Sequence, residues 1–230
     1  MTTGMILAGG DLTPEFADYI IKDYISRGDI FLAAADAGLE TCLKAGRKPD
    51  LVLGDFDTVR QDVLSSCRNT EGVSFEQHNP VKDASDLELC IDSLAARGIR
   101  KIAVLGALGG RADHTLANIR MTYWYMLRGV ELLLLDPQNR IRCVNAEGSG
   151  ECSIPRDGQW GKYVGFFPAG GAELKISLEG FKYPLRDFPL HDGVSPSLTI
   201  SNEISGEQGM IRFSGGKGAG LIITESKDRK

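Results

Sequence analysis

The sequence lacks several features that mark particular classes of protein. None of its 230 residues form a run near the ~20 consecutive apolar residues that a membrane span needs, and no basic segment followed by a long apolar one opens the chain. Lys and Arg are scattered, and the formal net charge is −5, so nothing resembles a footprint for nucleic acid or an anionic membrane. We therefore expect a cytoplasmic protein with neither nucleic acid nor a membrane as its partner.

Cysteine usage excludes two further classes. The five cysteines are odd in number and contain no C-x-x-C pair, which argues against a disulfide framework and against a zinc knuckle. Cys42 and Cys90 lie on the apolar faces of predicted helices, where core packing is the simplest interpretation. The composition, 42% hydrophobic and 25% charged, is that of a globular protein with a core.

Apolar runs alternate with helical patterns in the first 146 residues. The runs are residues 5–7, 30–35, 51–53, 102–105 and 130–135. Thr13-Pro14 predicts a helix N-cap with a first-turn proline, and Ser85 with Glu88 three residues on predicts a capping box. The helix after Asp113 has a predicted apolar side made of Leu116, Ile119, Tyr123, Trp124 and Leu127. This alternation predicts a doubly wound, mostly parallel α/β sheet with helices on both faces.

Two regions depart from the alternation. Residues 60–80 show no regular pattern, and helical spacing stops after residue 147. Residues 148–230 hold 15 of the 28 glycines and 5 of the 9 prolines, with short apolar or alternating runs between them. The runs predicted as strands are residues 163–167, 174–178, 198–200, 210–213 and 221–224. We therefore expect an α/β domain over residues 1–146 and a smaller all-β, sandwich-like domain over residues 147–230.

A pair of acids follows one of the predicted strands directly. Asp55 and Asp57 come after residues 51–53, an apolar run bounded by Pro49 and Gly54. Ligands of open parallel sheets bind outside the carboxyl ends of the strands, and carboxylate oxygens suit Mg²⁺. A solvated turn rich in Asp explains the same residues. The pair alone does not decide between a metal site and a turn.

Similar residues recur at other predicted strand ends and at a helix start. Gly9-Gly10-Asp11, Asp36-Ala37-Gly38 and Gly109-Gly110-Arg111-Ala112-Asp113 each follow a strand, while Asp83 and Asp86 flank the start of a helix. Glycines before a helix let backbone N–H groups approach a phosphate, and Arg111 adds a planar cationic group. So many such turns on one edge of a sheet predict a metal–polyphosphate site and phosphoryl-type transfer.

Two further motifs have a structural interpretation. His114 lies beside an acid with no nucleophile nearby, so we interpret it as a positioning or packing residue rather than a general base. The segment Gly215-Gly216-Lys217-Gly218-Ala219-Gly220 lacks the P-loop spacing and runs into a strand-like segment, which predicts a hairpin turn.

Four short blocks together resemble the signature of the thiamine pyrophosphokinase family, in matching order across about residues 5–145. The blocks are Ala34-Ala35-Asp36-Ala37-Gly38, Pro49-Asp50-Leu51-Val52-Leu53-Gly54-Asp55-Phe56-Asp57, Lys82-Asp83-Ala84-Ser85-Asp86 and Leu108-Gly109-Gly110-Arg111-Ala112-Asp113-His114. The resemblance implies transfer of an intact diphosphate from ATP to the hydroxyl of thiamine, which gives thiamine diphosphate and AMP.

The resemblance also implies roles for individual residues. Mg²⁺ would be held by Asp55, Asp57 and Asp86. Asp83 would lie close by and is a candidate to take the alcohol proton. The residues that would contact ATP are Gly9, Gly10, Asp36, Arg111 and Asp113.

For the β-rich domain, the resemblance implies a thiamine pocket completed across a homodimer interface. Thr199-Ile200-Ser201-Asn202 resembles the family's Thr-Ser-Asn segment, which would place Ser201 and Asn202 at thiamine. The neighbouring sequence offers no aromatic residue that could stack on thiamine. Two other functions use the same acids and remain open: a Mg²⁺-dependent nucleotide phosphohydrolase, and a non-catalytic nucleotide sensor whose β domain binds a partner.

Overall fold

The computed structural model describes residues 2–56, 59–68, 70–77, 84–193 and 197–228. The helices are α1 (Pro14–Arg27), α2 (Gly38–Lys44), α3 (Gln61–Arg68), α4 (Asp86–Ala96) and α5 (Ala112–Met126). The strands are β1 (Thr3–Leu7), β2 (Ile30–Ala35), β3 (Leu51–Gly54), β4 (Ser74–Gln77), β5 (Lys101–Leu105), β6 (Glu131–Leu135), β7 (Asn139–Asn145), β8 (Gly148–Pro155), β9 (Tyr163–Ala169), β10 (Leu174–Glu179), β11 (Leu185–Pro189), β12 (Asn202–Glu203), β13 (Gln208–Gly215) and β14 (Gly220–Ser226). Within these residues, no helix is long and apolar enough to cross a membrane.

The chain divides into two compact units, Met1–Asn118 with Leu134–Pro137 and Ile119–Leu133 with Gln138–Lys230. In the first unit, β5, β1, β2, β3 and β4 lie side by side in that order and pair in parallel. The chain moves outward from β1 to β4 and then returns to the other side of β1. Because such crossovers are right-handed, α1, α2 and α3 lie on one face of the sheet and α4 on the other. The predicted doubly wound sheet is confirmed.

The strand register of the first unit brings several strand ends to one level. Leu7 pairs with both Ala34 and Leu105, and Ala35 pairs with Leu53. The carboxyl ends of β1, β2, β3 and β5 are therefore level to within a residue or two. All four residues of β3 are buried, as expected for a parallel strand covered on both faces.

Helix starts follow the capping residues that the sequence offers. The hydroxyl of Thr13 accepts a hydrogen bond from the Phe16 N–H at 3.3 Å, and Pro14 occupies the first turn of α1. The Ser85 hydroxyl accepts from the Glu88 N–H at 3.2 Å and caps α4. These side chains satisfy N–H groups that have no partner within the helix. Both predicted helix starts are confirmed.

The second unit contains two antiparallel groups of strands with one core. In one group β12, β9, β14 and β7 are neighbours, and in the other β11, β10, β13 and β8. Phe166 and Ile223 of the first group and Ile176 and Ile211 of the second belong to a single buried cluster. Side chains of both groups meet in one core, which is the packing of a sandwich.

Some local predictions were wrong or incomplete. Residues 198–200 form a turn instead of a strand. Thr199 makes two hydrogen bonds to Phe166: its hydroxyl donates to the Phe166 carbonyl at 2.5 Å, and its carbonyl accepts from the Phe166 N–H at 3.0 Å. The Thr199 hydroxyl thus makes the hydrogen bond that a backbone N–H would make between two paired strands. Residues 60–80, which showed no pattern, include α3 and β4.

The predicted apolar side of α5 was also wrong. Leu116, Trp124 and Leu127 are 63%, 47% and 49% exposed. The buried residues are instead Asn118, Met121, Thr122 and Tyr125, at spacings of three and four that define one helix face. Two of these four are polar, so a count of apolar side chains favoured the wrong face.

A buried ion pair lies in the second unit. The Glu225 side chain is 1% exposed, and its two oxygens accept from Arg140 Nε at 2.8 Å and Nη2 at 2.6 Å. The backbone N–H of Trp160 adds a third bond at 3.0 Å. The carboxylate is therefore compensated by one cation and by three hydrogen bonds.

We expect Arg140→Ala to lower the free energy of unfolding by about 3 kcal/mol, because it leaves a buried carboxylate without its cation. Arg212→Ala is the matched control, since Arg212 pairs with exposed Glu151 and Glu179 and its loss should cost less than about 1 kcal/mol. Urea unfolding of the two variants measures both values. Equal losses would contradict the role given to Arg140.

Candidate active site

A cavity of about 750 Å³ lies at the carboxyl ends of β1, β2, β3 and β5. Its walls come from the loops after these strands and from the first turns of α4 and α5. The residues of its wall that had been predicted as site residues are Gly9, Gly10, Asp36, Asp55, Asp86 and Arg111. The structure thus brings together most of the described acids and glycines that the sequence singled out.

The loops after β1 and β5 approach each other closely. The Ala8 N–H donates to the Leu105 carbonyl at 2.8 Å, and the Gly10 N–H donates to the Gly106 carbonyl at 3.0 Å. A Cβ atom added to Gly10 would lie 2.3 Å from the Gly106 oxygen, so only glycine fits. Gly10 therefore shapes the cavity through its lack of a side chain, because its N–H is already bonded.

Asp36 directly follows β2 and has a left-handed conformation, with φ of 47°. Its N–H donates to the Leu53 carbonyl at 2.8 Å, and its carbonyl accepts from the Leu39 N–H at 3.0 Å at the start of α2. A Cβ on Gly54 would lie 3.2 Å from the Asp36 Cα. The turn is thus held from β3, and Asp36 is one of the residues that line the cavity.

Two carboxylates of the predicted metal set line the same cavity from different elements. Asp55 follows β3, and Asp86 lies in the first turn of α4, where a negative charge complements the helix dipole. The other two predicted acids, Asp57 and Asp83, lie outside the described residues. Within residues that the structure describes, no group of three His, Cys, Asp or Glu side chains is arranged to hold a metal ion.

The chemistry of Asp55 and Asp86 fits Mg²⁺. Both offer hard carboxylate oxygens to one cavity. Mg²⁺ usually takes one or two protein carboxylates and fills its other positions with water and substrate phosphates. A pair of acids facing a cavity large enough for a nucleotide therefore suffices as the protein's share of such a site.

Arg111 and Asp113 form a bidentate ion pair at the start of α5. Arg111 Nε and Nη2 donate to the Asp113 carboxylate at 3.1 and 2.6 Å, and the His114 N–H donates to it at 3.0 Å. The bond from Arg111 is the main reason that the pKa of Asp113 is lowered to about 2, and the His114 N–H adds to the effect. Arg111 lines the cavity, and Asp113 is its ion-pair partner outside the cavity wall; the predicted contact of Asp113 with ATP stays a prediction.

Asn118 is a cavity residue that sequence analysis missed. Its side chain is 8% exposed, and its Nδ2 donates to the Ala107 carbonyl at 2.7 Å. This bond fixes the loop after β5 to the body of α5. No apolar pattern could have found it, because the buried face of α5 carries a second polar residue, Thr122.

In the second unit, the predicted thiamine residues lie beside an exposed aromatic ring. Asn202 is 4% exposed, and its amide accepts from the Tyr183 N–H at 3.0 Å and donates to the Tyr183 carbonyl at 2.8 Å. Ser201 next to it is exposed, with φ of 56°. Tyr183 is 56% exposed. No local pattern could reveal this ring, because 19 residues separate it from Asn202. The roles of Ser201 and Asn202 stay predictions.

Fold and cavity together are those of a phosphotransferase built on a parallel α/β sheet. Two family models match the chain, the catalytic domain of thiamin pyrophosphokinase over residues 22–134 and its vitamin B1 binding domain over residues 151–218. A thiamine pyrophosphokinase of Bacillus subtilis is 31% identical over 230 residues, which cover 99% of this chain and 100% of that protein. The chain belongs to the thiamine pyrophosphokinase family.

Other similar proteins agree with this assignment. Thiamine pyrophosphokinase 1 of rice is 28% identical over 164 residues, 68% of this chain and 61% of the rice protein. Crystal structures of thiamine pyrophosphokinases from Bacillus subtilis and Geobacillus thermodenitrificans superpose with TM-scores of 0.81 and 0.79, at 30% and 29% identity. The matches cover all of this chain and 100% and 99% of those chains. The expected fold class and enzyme class, a diphosphokinase acting on thiamine, are confirmed.

We expect Gly10→Ala to raise the KM for ATP by about tenfold or more, because the added methyl group must push the loops after β1 and β5 apart. Gly216→Ala is the control, since nothing lies within 3.5 Å of a Cβ there and the nearest atom is at 3.6 Å. Steady-state kinetics with ATP varied would measure the effect. An unchanged KM for ATP in a folded Gly10→Ala protein would contradict the role given to this close approach.

Replacing Arg111 by Ala should raise the pKa of Asp113 from about 2 toward its ordinary value of 3.8. A depressed pKa means that Asp113 stabilises the folded state fully above pH 3.8 and that this contribution is lost as the pH falls through about 2. Carboxyl-detected NMR titration measures the shift. Asp62, whose pKa is lowered by a bond from Arg60, is the internal control and should not move. Identical Asp113 titrations in both proteins would refute the pairing.

Proposed function

We propose that the cavity of the first unit binds ATP with Mg²⁺, and that Asp55, Asp57 and Asp86 hold the metal for diphosphate transfer to thiamine. The observation that carries this proposal is the position of Asp55 and Asp86. They belong to different elements, yet both line one cavity together with the glycine loops after β1 and β5. Metal and nucleotide would thus share one space of about 750 Å³, which is of the size typical for small-molecule sites.

The charges of the cavity explain why a cation is needed. Its described lining contains four carboxylates, those of Asp11, Asp36, Asp55 and Asp86, against a single guanidinium from Arg111. An ATP polyphosphate would be repelled from this lining without a compensating ion. Mg²⁺ would supply that compensation and would neutralise charge as the diphosphate moves.

The protein's own residues would position the reacting groups. Arg111, held in one orientation by Asp113, would donate its remaining N–H groups to the phosphates. The loops after β1 and β5, fixed to each other and to Asn118, would shape the space that the nucleotide fills. Asp83 remains our candidate for accepting the proton of the thiamine hydroxyl. Positioning and electrostatics would supply most of the catalysis.

We assign thiamine binding to the β-rich part of the chain, residues 147–230, and nucleotide and metal binding to residues 1–146. Asn202 would act through the backbone of Tyr183, to which its amide is bonded, while the exposed Tyr183 ring would stack on the cationic thiazolium of thiamine. Ser201 would add a hydroxyl. We propose that the working form is a homodimer.

We further propose that the enzyme works in the cytoplasm. All five of its cysteines are free thiols, which is typical of a reducing compartment. Its substrates there would be ATP and thiamine, both small molecules.

The function is tested by incubating the protein with ATP, Mg²⁺ and thiamine, omitting each in turn, and following AMP and thiamine diphosphate by mass spectrometry. We expect equal amounts of the two products, and only when all three reagents are present. Phosphate released from ATP without thiamine would favour the hydrolase, and ATP binding without AMP formation would favour the sensor.

Asp55→Asn and Asp57→Asn should each reduce turnover by more than about 100-fold. Loss of a residue that only hydrogen-bonds to a metal ligand typically costs up to about 100-fold, and loss of a ligand itself should cost more. The reason is that an amide has no charge with which to hold Mg²⁺. Asp62→Asn is the matched control, because Asp62 is exposed and pairs with Arg60 outside the cavity wall. Steady-state assays measure turnover, and melting temperatures show whether each variant is folded. Normal turnover in either Asn variant would remove that residue from the metal site.

A further inference from the structure

The residue that follows Asp55 has an unusual backbone conformation. Phe56 has φ of 61°, in the left-handed region, and its side chain is 3% exposed. Bulky side chains rarely adopt this region, and they do so when the surroundings hold them there. The packing of Phe56 therefore decides whether the turn that carries Asp55 keeps its shape.

Two side chains hold the Phe56 ring, and we name the three residues the aromatic clamp: Phe56, Phe75 and Arg68. The rings of Phe56 and Phe75 meet edge to face, with centroids 6.3 Å apart and planes at 67°. The Arg68 guanidinium lies 5.9 Å from the Phe56 centroid and 5.7 Å from that of Phe75. A cation at this distance from an aromatic ring is attracted to it.

The aromatic clamp connects three elements. Phe75 lies on β4, which pairs with β3 just before Asp55, and Arg68 is the last residue of α3. Arg68 Nη2 also donates to Gln77 Oε1 at 3.3 Å, at the end of β4. The guanidinium thus bridges the end of α3 to the strand beside the acid-bearing turn.

A second cavity is lined in part by the two residues of this turn, Asp55 and Phe56. It has a volume of about 300 Å³, and Arg68, Phe56 and Gln77 form part of its wall. Asp55 lines both this cavity and the larger one that we assign to ATP and Mg²⁺. The turn that carries Asp55 therefore borders two cavities, and the aromatic clamp forms part of the wall of the smaller one.

We propose that Arg68 is a positioning residue for the metal site. By binding both rings of the aromatic clamp, it keeps Phe56 in its left-handed turn and keeps the Asp55 carboxylate at the larger cavity. The effect on Mg²⁺ rests on the proposed function, because it presumes that Asp55 holds the ion. The effect on the turn itself does not depend on that function.

The first test uses hydrogen–deuterium exchange of the peptide that contains Asp55 and Phe56. Loss of two exposed cation–π contacts should raise the population of the open turn about fivefold or more. We expect Arg68→Ala to speed exchange by that factor and Arg68→Lys, which keeps a cation, to recover part of it. Arg60→Ala is the control, because Arg60 precedes the same helix but bonds to Asp62. Unchanged exchange in Arg68→Ala, or an equal change in Arg60→Ala, would overturn the proposal.

The second test separates positioning from general stability. In Arg68→Ala, the Mg²⁺ concentration that gives half-maximal thiamine diphosphate formation should rise about fivefold, while the KM for thiamine stays unchanged. Phe75→Leu should raise it as well, and the double variant should raise it by less than the product of the two single effects, because both changes remove the contact between Arg68 and Phe75. The proposal would be overturned if the double variant showed the full product of the two single effects, or if the KM for thiamine rose by the same factor as the Mg²⁺ requirement. If the unmodified protein makes no thiamine diphosphate, the proposed function fails, and the exchange experiment alone decides on Arg68.

Discussion

The close backbone approach of the loops after β1 and β5 is the constraint on which the site depends. Gly10 and Gly106 are joined by a 3.0 Å hydrogen bond, and no side chain fits between them. This contact lies where the strand order reverses, the position at which open parallel sheets bind their ligands. The side-chain amide of Asn118 donates to the Ala107 carbonyl and so fixes the loop after β5 to α5. Backbone contacts thus shape the cavity, independently of its charged side chains.

Around this backbone frame, acids are placed in strained turns. Asp36 and Phe56, at the ends of neighbouring strands, both have positive φ although neither is glycine. Such conformations cost roughly 1–3 kcal/mol each and persist where the surroundings enforce them. Asp36 is held by the bond that its N–H donates to Leu53 of β3 and by the bond that its carbonyl accepts from Leu39 of α2, and ring contacts hold Phe56. These two turns follow β2 and β3 directly, and the acids Asp36 and Asp55 in them line the cavity.

The sequence was a good guide wherever a local pattern decides the structure. The caps at Thr13 and Ser85 predicted two helix starts, the alternation of apolar runs with helical patterns predicted the parallel sheet, and the acids and glycines after strands predicted most of the cavity wall. It failed where distant residues decide. Asn118 is polar but lies on the buried face of α5, and the backbone of Tyr183 is held by an amide 19 residues away. The ring contacts of Arg68 likewise join residues of different elements, which no periodicity in one segment can reveal.

In the reaction that we propose, the site moves a diphosphate as one unit from ATP to thiamine. The most direct test supplies ATP in which the terminal two phosphates both carry an isotopic oxygen label and analyses the products by mass spectrometry. We expect thiamine diphosphate with both labelled phosphates and AMP with neither. Thiamine carrying a single labelled phosphate, or label recovered as free phosphate, would contradict it.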